Sequence, residues 1–327
     1  MKMEADISIS LSQRSNMEKT NPLGLFIVKI IISGLMLIIL MSRLNWQIAF
    51  LKLQNISIST WLCAFLLYFS AQVVSALRWM LISKSLKLNI PGKNYFDWYF
   101  LGIFCNLFLP TGIGGDVVKS YALGRASGQL ANAICSVVLD RVFGLIILLG
   151  LGALAAFVIE LRPFWLRDLL LLSATLGFFL LLTARTLTQW LSHRWLKINT
   201  LVKPVNLLWH HPAQLLQFGG LSVVVQLFTI AAVVILGWQL GIDQPILFYI
   251  AAYSVISIIS LFPLAINGFG VREFGFVMLF VTAGSPQESA LILSFVSFSL
   301  QAAAGSIGLI SFLKSRDASL STSTSGL

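Results

Sequence analysis

The sequence predicts an all-α, polytopic membrane protein, because it is strongly apolar, poor in charge and divided into long apolar segments. Of its 327 residues, 57% are hydrophobic and only 10% are charged, and the mean hydropathy is +0.89. A soluble domain carries about a quarter charged residues. We predict about six full spans plus two broken, re-entrant helical hairpins, since a helix crosses the bilayer with roughly 20 apolar residues.

The chain divides into one membrane domain and two tails. Residues 1–21 are a polar N-terminal tail, 22–314 form a single transmembrane domain, and 315–327 are a Ser-rich C-terminal tail that we expect to be disordered. The first apolar segment ends without the small-residue cleavage pattern of a signal peptide, so we expect it to be retained. We expect no soluble catalytic domain at either end.

Six segments are apolar over enough residues to cross the bilayer as helices. They are 22–42, 60–82, 130–159, 167–185, 214–238 and 289–313.

Two further apolar segments, 95–125 and 245–284, are interrupted by proline and glycine. The interruptions read LPTGIGGD at 109–116 and FPLAINGFG at 262–270. Non-helical backbone at membrane depth is tolerated only where protein or a water-filled cavity surrounds it. These two breaks are therefore the segments where we expect a site.

Positive charge in the loops predicts the orientation. The net charge of +10 comes from cations in short loops between apolar segments, which is typical of topology signals and not of a nucleic-acid surface. The cations before the first span and after the second, fourth and last spans share one side. We therefore expect a multi-pass protein of the plasma (inner) membrane with both termini cytoplasmic. These cations are Lys2, Arg14, Lys19, Lys84, Lys87, Lys93, Arg185, Arg194, Lys197, Lys203, Lys314 and Arg316.

On this orientation the first hairpin opens to the cytoplasm and the second to the outside, as an inverted repeat produces. The two breaks also share a short, gapped similarity. Leu107-Phe108-Leu109-Pro110, then Gly114 and Val117, matches Leu261-Phe262-Pro263, then Gly268, Gly270 and Val271. The alternative is that any two breaks rich in proline and glycine look alike.

Six charged residues lie within or beside the apolar segments, and their charges sum to zero: Asp116, Lys119, Asp140, Arg141, Arg272 and Glu273. A charge within the bilayer is costly, so such groups are functional or paired. Adjacent helical residues point about 100° apart, so Asp140 and Arg141 cannot share one partner, and we expect pairing across helices. The alternative to a substrate-contacting network is a purely structural one.

Each break should end where a new half-helix begins, near Gly114 to Asp116 and near Gly270. Free backbone N–H groups and the helix dipole favour anions there. With Lys119 and Arg272 close by, phosphate is the expected guest. The alternative for Asp116 is that its carboxylate caps the half-helix.

Lys29 and Arg78 lie near the ends of predicted spans, and we interpret both as interfacial anchors. Arg78 is in addition a candidate to face the first hairpin. No nucleotide-binding, hydrolase or metal-ligand motif is present, so we expect no cofactor, no metal and no ATP-driven mechanism.

Four segments resemble one known family. They are ALRWMLI at 76–82, NLFLPTGIGGDVVKSYAL at 106–123, VVLDRVFGL at 137–145 and INGFGVREFGF at 266–276. Their order and spacing are similar to the lysylphosphatidylglycerol synthase transmembrane-region family, over roughly residues 20 to 315. Its bifunctional members carry a soluble aminoacyl-transferase domain after the membrane part. This sequence has none, so we do not expect it to make lysyl-phosphatidylglycerol.

The resemblance implies that the protein moves or handles a membrane phospholipid or a lipid-linked intermediate, and that it binds no nucleic acid. Our leading hypothesis is a flippase-like transporter of an anionic lipid, with Lys119, Arg141 and Arg272 as counter-charges. The alternatives are a membrane-embedded lipid-phosphate transferase with Asp116 or Asp140 as base, and an accessory subunit of a lipid-modifying enzyme. The predicted substrate-binding residues are Arg78, Asn106, Pro110, Gly114, Gly115, Asp116, Lys119, Asp140, Arg141, Gly268, Gly270, Arg272 and Glu273.

Overall fold

Eleven α-helices and no strand make up the part of the chain that the computed structural model describes, residues 22–42, 44–108, 114–160, 164–194, 211–261 and 268–324. The predicted all-α class is therefore confirmed. The helices are α1 (Pro22–Ser42), α2 (Trp46–Gln54), α3 (Ile58–Ser85), α4 (Gly92–Phe108), α5 (Gly114–Ser127), α6 (Leu130–Val158), α7 (Phe164–Arg194), α8 (Pro212–Gln239), α9 (Ile246–Leu261), α10 (Val271–Thr282) and α11 (Gln287–Thr324).

Four of these helices are long and apolar enough to cross a membrane: α3, α6, α8 and the Gln287–Leu309 part of α11. A fifth candidate is the pair formed by α1 and α2, which are bent by 93° relative to each other. Helix α7 covers the predicted span 167–185 but is not among the four. The chain is thus a multi-pass helical membrane protein, and the count of six full spans stays a prediction.

Helix α2 was not predicted from the sequence. The side chain of Asn45 caps it by accepting hydrogen bonds from the backbone N–H groups of Gln47 (3.1 Å) and Ile48 (3.3 Å). Near its other end, the Lys52 ammonium donates to the carbonyl of Leu240 at 3.0 Å. The helix has only nine residues, too few to cross a bilayer.

Helices α3 and α8 pack against each other and run antiparallel. The Thr60 hydroxyl, at the start of α3, bonds to the side chain of Gln239 at the end of α8 (2.9 Å). Further along, Arg78 of α3 reaches Ser222 in the first half of α8 (2.7 Å). The bundle therefore has two ends, which we name the Leu86 end, where α3 finishes, and the Leu240 end, where α8 finishes.

The two interrupted segments form two pairs of short helices. Helices α4 and α5 pack against each other and form the first helix pair, and α9 and α10 form the second. The longest of the four has 17 residues, so it is about 26 Å long, whereas the hydrocarbon core is roughly 30 Å thick.

The helix pairs open at opposite ends of the bundle. In the first pair, Tyr95 near the start of α4 donates to the Leu88 carbonyl (2.6 Å), which fixes its open end at the Leu86 end. In the second pair, Gln244, just before α9, donates to the Ala283 carbonyl just after α10 (2.7 Å). Ser289, in the following helix, donates to the Leu240 carbonyl (2.9 Å), so the second pair opens at the Leu240 end.

Helix α11 continues to Thr324, so its backbone is helical through residues 315–324, which the sequence analysis assigns to a disordered tail. Serine and threonine are only moderately poorer helix formers than alanine. A long preceding helix can therefore propagate through this segment.

Candidate functional site

Charged side chains from four helices form ion pairs inside the bundle. We call this set the ion cluster, and it contains Arg78, Asp116, Lys119, Asp140, Arg141, Arg272 and Glu273. Helices α3, α5, α6 and α10 supply its members directly, and α11 supplies a serine hydroxyl.

Arg78 and Asp140 form a fully buried pair. The Arg78 Nε donates to Asp140 Oδ1 at 2.8 Å, and the same guanidinium donates to the hydroxyls of Ser222 (2.7 Å) and Ser75 (3.3 Å). Arg78 is only 4% exposed. Its interpretation as an interfacial anchor is therefore wrong: a carboxylate and two hydroxyls inside the bundle compensate the loss of water, so the side chain has no need to reach the interface.

Asp116 lies between two cations. Arg141 donates Nε and Nη2 to its two carboxylate oxygens, at 2.8 and 3.0 Å, and the Lys119 ammonium lies 2.9 Å from Oδ1. Asp140 and Arg141 thus turn to different helices, α3 and α5, which confirms the predicted pairing across helices. The carboxylate of Asp116 is engaged with cations, so the expectation that it caps α5 is not borne out.

Lys119 is enclosed by aromatic rings. Its ammonium lies 4.9 Å from the ring centre of Tyr99 and 5.4 Å from that of Trp79, which adds cation–π attraction to the ion pair. Only 5% of its side chain is exposed, whereas 52% of the Arg141 side chain is. Of the two cations that pair with Asp116, Lys119 is buried, whereas about half of the Arg141 side chain is exposed.

The two half-helix starts are already occupied by protein acceptors. The backbone N–H of Gly115 donates to Asn106 Oδ1 at 2.7 Å, and that of Gly270 donates to Glu273 Oε2 at 2.6 Å. These N–H groups were the predicted anion ligands. That expectation does not hold for these two N–H groups, because a side-chain oxygen takes each of these hydrogen bonds.

The second helix pair contributes Arg272 and Glu273. Glu273 is fully buried and accepts bonds from Gly270, from Arg272 Nη2 and, at 3.4 Å, from the Ser294 hydroxyl. The Arg272 guanidinium lies over the rings of Phe298 (4.8 Å) and Phe269 (5.6 Å). Its Nε is buried and has no hydrogen-bond partner in the part of the chain that the structure describes.

Two arginines from different helices, Arg141 of α6 and Arg272 of α10, interact with the same side chain of α3. The phenol of Tyr68 interacts electrostatically with both Arg141 and Arg272, and with the phenols of Tyr99 and Tyr253. Sequence reasoning missed these tyrosines. Each is a tyrosine in an otherwise apolar helix. Such a residue also occurs in ordinary packing, so its presence alone did not indicate a site.

Close backbone contact fixes the first helix pair. A Cβ added to Gly115 would overlap the backbone carbonyl of Gly102 on α4. A Cβ added to Gly102 would meet the Lys119 side chain at 2.9 Å. Both glycines are therefore needed for α5 to lie against α4 and to hold Lys119 in place.

Three predicted site residues remain, two glycines and one proline. Gly114 is the first residue of α5, and Gly268 precedes α10 with a positive φ of 75°. Pro110 lies outside the described residues. Within the described ranges, no three His, Cys, Asp or Glu side chains group as a metal site requires.

Comparison with known families gives one match. The family model described as lysylphosphatidylglycerol synthase TM region matches residues 26–307. This range includes all members of the ion cluster and both helix pairs. No curated protein and no solved structure matches the chain.

Proposed function

The chain belongs to the lysylphosphatidylglycerol synthase TM region family, and on that premise we propose that it is a flippase-type transporter of a lipid with an anionic headgroup. The headgroup, of a phospholipid or a lipid-linked intermediate, crosses through the bundle while the acyl chains stay in the surrounding lipid. Membership of this family supports a role in lipid metabolism or transport. The single observation that carries the proposal is a charged cluster reached by two helix pairs from opposite ends.

In the proposed mechanism both helix pairs are re-entrant, and each admits the headgroup from its own face. The first pair leads from the Leu86 end to Arg141, and the second leads from the Leu240 end to Arg272. Loop cations favour a cytoplasmic Leu86 end, with both termini cytoplasmic in the plasma membrane. Because the pairs open oppositely, one structural rearrangement exchanges access between the two faces.

We propose that the two halves form an inverted repeat, which would permit this exchange. Helix α4 packs on α11 as α9 packs on α6, and α5 packs on α6 as α10 packs on α11. Helices α3 and α8 are both 28 residues long and pack on each other. Exchanging α3–α6 with α8–α11 therefore leaves these helix contacts unchanged.

Equivalent residues support the repeat as well. Tyr95 donates to the carbonyl of Leu88, seven residues earlier, and Tyr249 donates to that of Ile242, also seven residues earlier. The same displacement along the chain relates Tyr99 to Tyr253. It also relates the whole of α3 to the whole of α8 and Val117 to Val271, with no gap, so the gap in the sequence comparison concerns only the prolines.

The predicted binding residues receive distinct roles in this proposal. Arg141 and Arg272 are the groups that contact the headgroup, since one is half exposed and the other keeps a free Nε–H. Asp116, Asp140 and Glu273 hold the cations in position, and Asn106, Gly114, Gly115, Gly268 and Gly270 shape the half-helix starts. Lys119 is a positioning residue in this scheme and not a free counter-charge.

The transferase alternative receives less support. Its candidate bases, Asp116 and Asp140, are each ion-paired to a guanidinium. Such pairing stabilises the ionised carboxylate and occupies its lone pairs, which makes proton abstraction from a hydroxyl less favourable.

Translocation in proteoliposomes tests the proposal. The vesicles contain a headgroup-labelled phosphatidylglycerol, and a membrane-impermeant reductant destroys only the label in the outer leaflet. We expect wild-type protein to make nearly all of the label accessible, and Arg272→Ala to slow this by about tenfold or more, since it removes charge-assisted hydrogen bonds. Arg167→Ala, at an exposed surface pair, is the matched control. No translocation by wild type, or no difference between the variants, would refute the proposal.

A further inference from the structure

The ion cluster carries one positive charge in excess. Its cations are Arg78, Lys119, Arg141 and Arg272, and its carboxylates are Asp116, Asp140 and Glu273. Asp140 and Glu273 each pair with one cation, whereas Asp116 pairs with two. The surplus therefore belongs to the group formed by Asp116, Lys119 and Arg141.

The surplus charge is presented at Arg141. Lys119 is buried against Tyr99 and Trp79, so no ligand reaches its ammonium without moving these rings. Arg141 donates only Nε and Nη2 to Asp116, and half of its side chain is uncovered. A guanidinium has five N–H donors, so this arginine keeps donors for a ligand.

A second hydrogen-bond donor for the ligand comes from Arg272 in the second helix pair. Arg272 directs Nη2 to Glu273, and its Nε–H remains buried and unsatisfied within the described residues. A buried donor without a partner is unfavourable, so a ligand oxygen that accepts from it recovers free energy. The Tyr68 phenol of α3 interacts electrostatically with both arginines.

An uncompensated charge at membrane depth is unfavourable, and a ligand of opposite charge removes the penalty. A phosphodiester carries a single negative charge and brings the cluster to neutrality. A phosphomonoester, with about −1.5 to −2 at neutral pH, overcompensates it. A headgroup that carries its own ammonium is neutral overall and leaves the surplus in place.

We propose that the ion cluster selects a lipid whose headgroup is a phosphodiester with a net charge of minus one, held by Arg141 with the Nε–H of Arg272 as a second donor. This inference rests on the proposed function, because it names the substrate class of the same site. It goes further in stating that net charge, and not headgroup size, decides which lipid binds.

Lipid retention tests this selectivity without any transport step. The full-length protein is reconstituted in phosphatidylcholine nanodiscs containing equal minor amounts of phosphatidylglycerol, phosphatidic acid and phosphatidylethanolamine, and repurified. Native mass spectrometry then identifies the lipids that stay bound. We expect phosphatidylglycerol to be enriched over the other two by about tenfold, which corresponds to roughly 1.4 kcal/mol.

Charge variants make the test specific. Arg141→Gln removes the surplus charge, so the preference for phosphatidylglycerol should disappear. Glu273→Gln keeps an oxygen for the Gly270 N–H but adds one positive charge to the cluster, so the preference should move to phosphatidic acid. Arg167→Gln, in the exposed pair with Asp168, should leave the preference unchanged.

The outcomes separate this inference from the proposed function. Retention that ignores lipid charge, or a Glu273→Gln variant that still prefers phosphatidylglycerol, overturns the inference even if translocation proceeds. Charge-selective retention without translocation supports the inference and overturns the transport proposal. Displacement of the lipid by excess water-soluble glycerophosphoglycerol would assign the site to a free phosphodiester and overturn its assignment to a lipid.

Discussion

The two helix pairs hold their charges differently. In the first pair a carboxylate shared by two cations forms the centre, and α4 and α5 touch through the glycines Gly102 and Gly115. In the second pair one arginine bonds to the adjacent glutamate and lies over two phenylalanine rings. The first pair is therefore stabilised by ionic contacts between helices, and the second by contacts within α10 and with aromatic rings.

The same difference appears in the long helices that support the pairs. In the proposed repeat, Arg78 of α3 corresponds to Ala232 of α8. Ser222, the partner of Arg78, corresponds to Tyr68. A buried ion pair with a serine thus supports one half, whereas a methyl group and a phenol occupy the same places in the other. The two long helices therefore differ in whether they bury an ion pair at this position.

Removing the buried carboxylate should have the largest effect on stability. Asp140→Ala leaves the Arg78 guanidinium buried without its counter-charge, which should lower the free energy of unfolding by about 3–5 kcal/mol. This loss of stability is measured as a shift of the thermal unfolding midpoint in detergent, followed by tryptophan fluorescence. Asp168→Ala breaks an exposed pair and should change stability by less than about 1 kcal/mol. Equal effects of the two variants would contradict the role given to Arg78.

Adding a methyl group to each helix pair compares how closely their helices pack. Gly115→Ala forces a Cβ into the Gly102 carbonyl, so we expect a loss of about 1–3 kcal/mol from overpacking. Gly275→Ala meets the Ile256 side chain at 3.2 Å, and alanine's helix propensity, better by about 1 kcal/mol, offsets that contact. A larger loss of stability in Gly275→Ala than in Gly115→Ala would contradict the closer packing that we assign to the first pair.

Exchanging arginine for lysine tests the aromatic support of the second pair. Arg272→Lys keeps the charge but loses the planar group over Phe269 and Phe298 and the Nε donor. Translocation of labelled phosphatidylglycerol should fall by about tenfold, with little change in the unfolding midpoint. Arg125→Lys, at an exposed position of α5, should translocate at the wild-type rate. Unchanged transport by Arg272→Lys would show that charge alone suffices.

The smallest effects should be equal in the two halves. Tyr95→Phe and Tyr249→Phe each remove one hydrogen bond to a carbonyl, at 2.6 and 2.9 Å. Each should cost about 0.5–1.5 kcal/mol, measured by the same thermal unfolding. Markedly unequal losses would argue against the equivalence of these positions and hence against the repeat.

The sequence predicted the all-α class and four of the six spans because each leaves a local signal. An apolar segment, a Pro/Gly interruption and a charge in an apolar context are all readable without knowing the fold. The helix α2 was missed because a nine-residue helix leaves a weak periodic pattern, although Asn45 is a typical cap.

The partners of the charged residues could not be predicted in the same way, since they come from distant parts of the chain. No local pattern links Arg78 to Ser222, which lies 144 residues away, and the break between α4 and α5 separates Asn106 from Gly115. The expectation of free N–H groups at the half-helices failed for this reason at Gly115. At Gly270 a signal did exist, because a glutamate three residues after the cap is a capping box.

Labelling from each side of the membrane tests most directly whether the helix pairs open to opposite faces. Gln129 and Pro286, the residues before α6 and α11, are both exposed. In a variant lacking the three native cysteines, Gln129→Cys should react with an impermeant maleimide only from the cytoplasmic face, and Pro286→Cys only from the outer face. Reaction of both cysteines from one face would contradict the opposed arrangement on which transport depends.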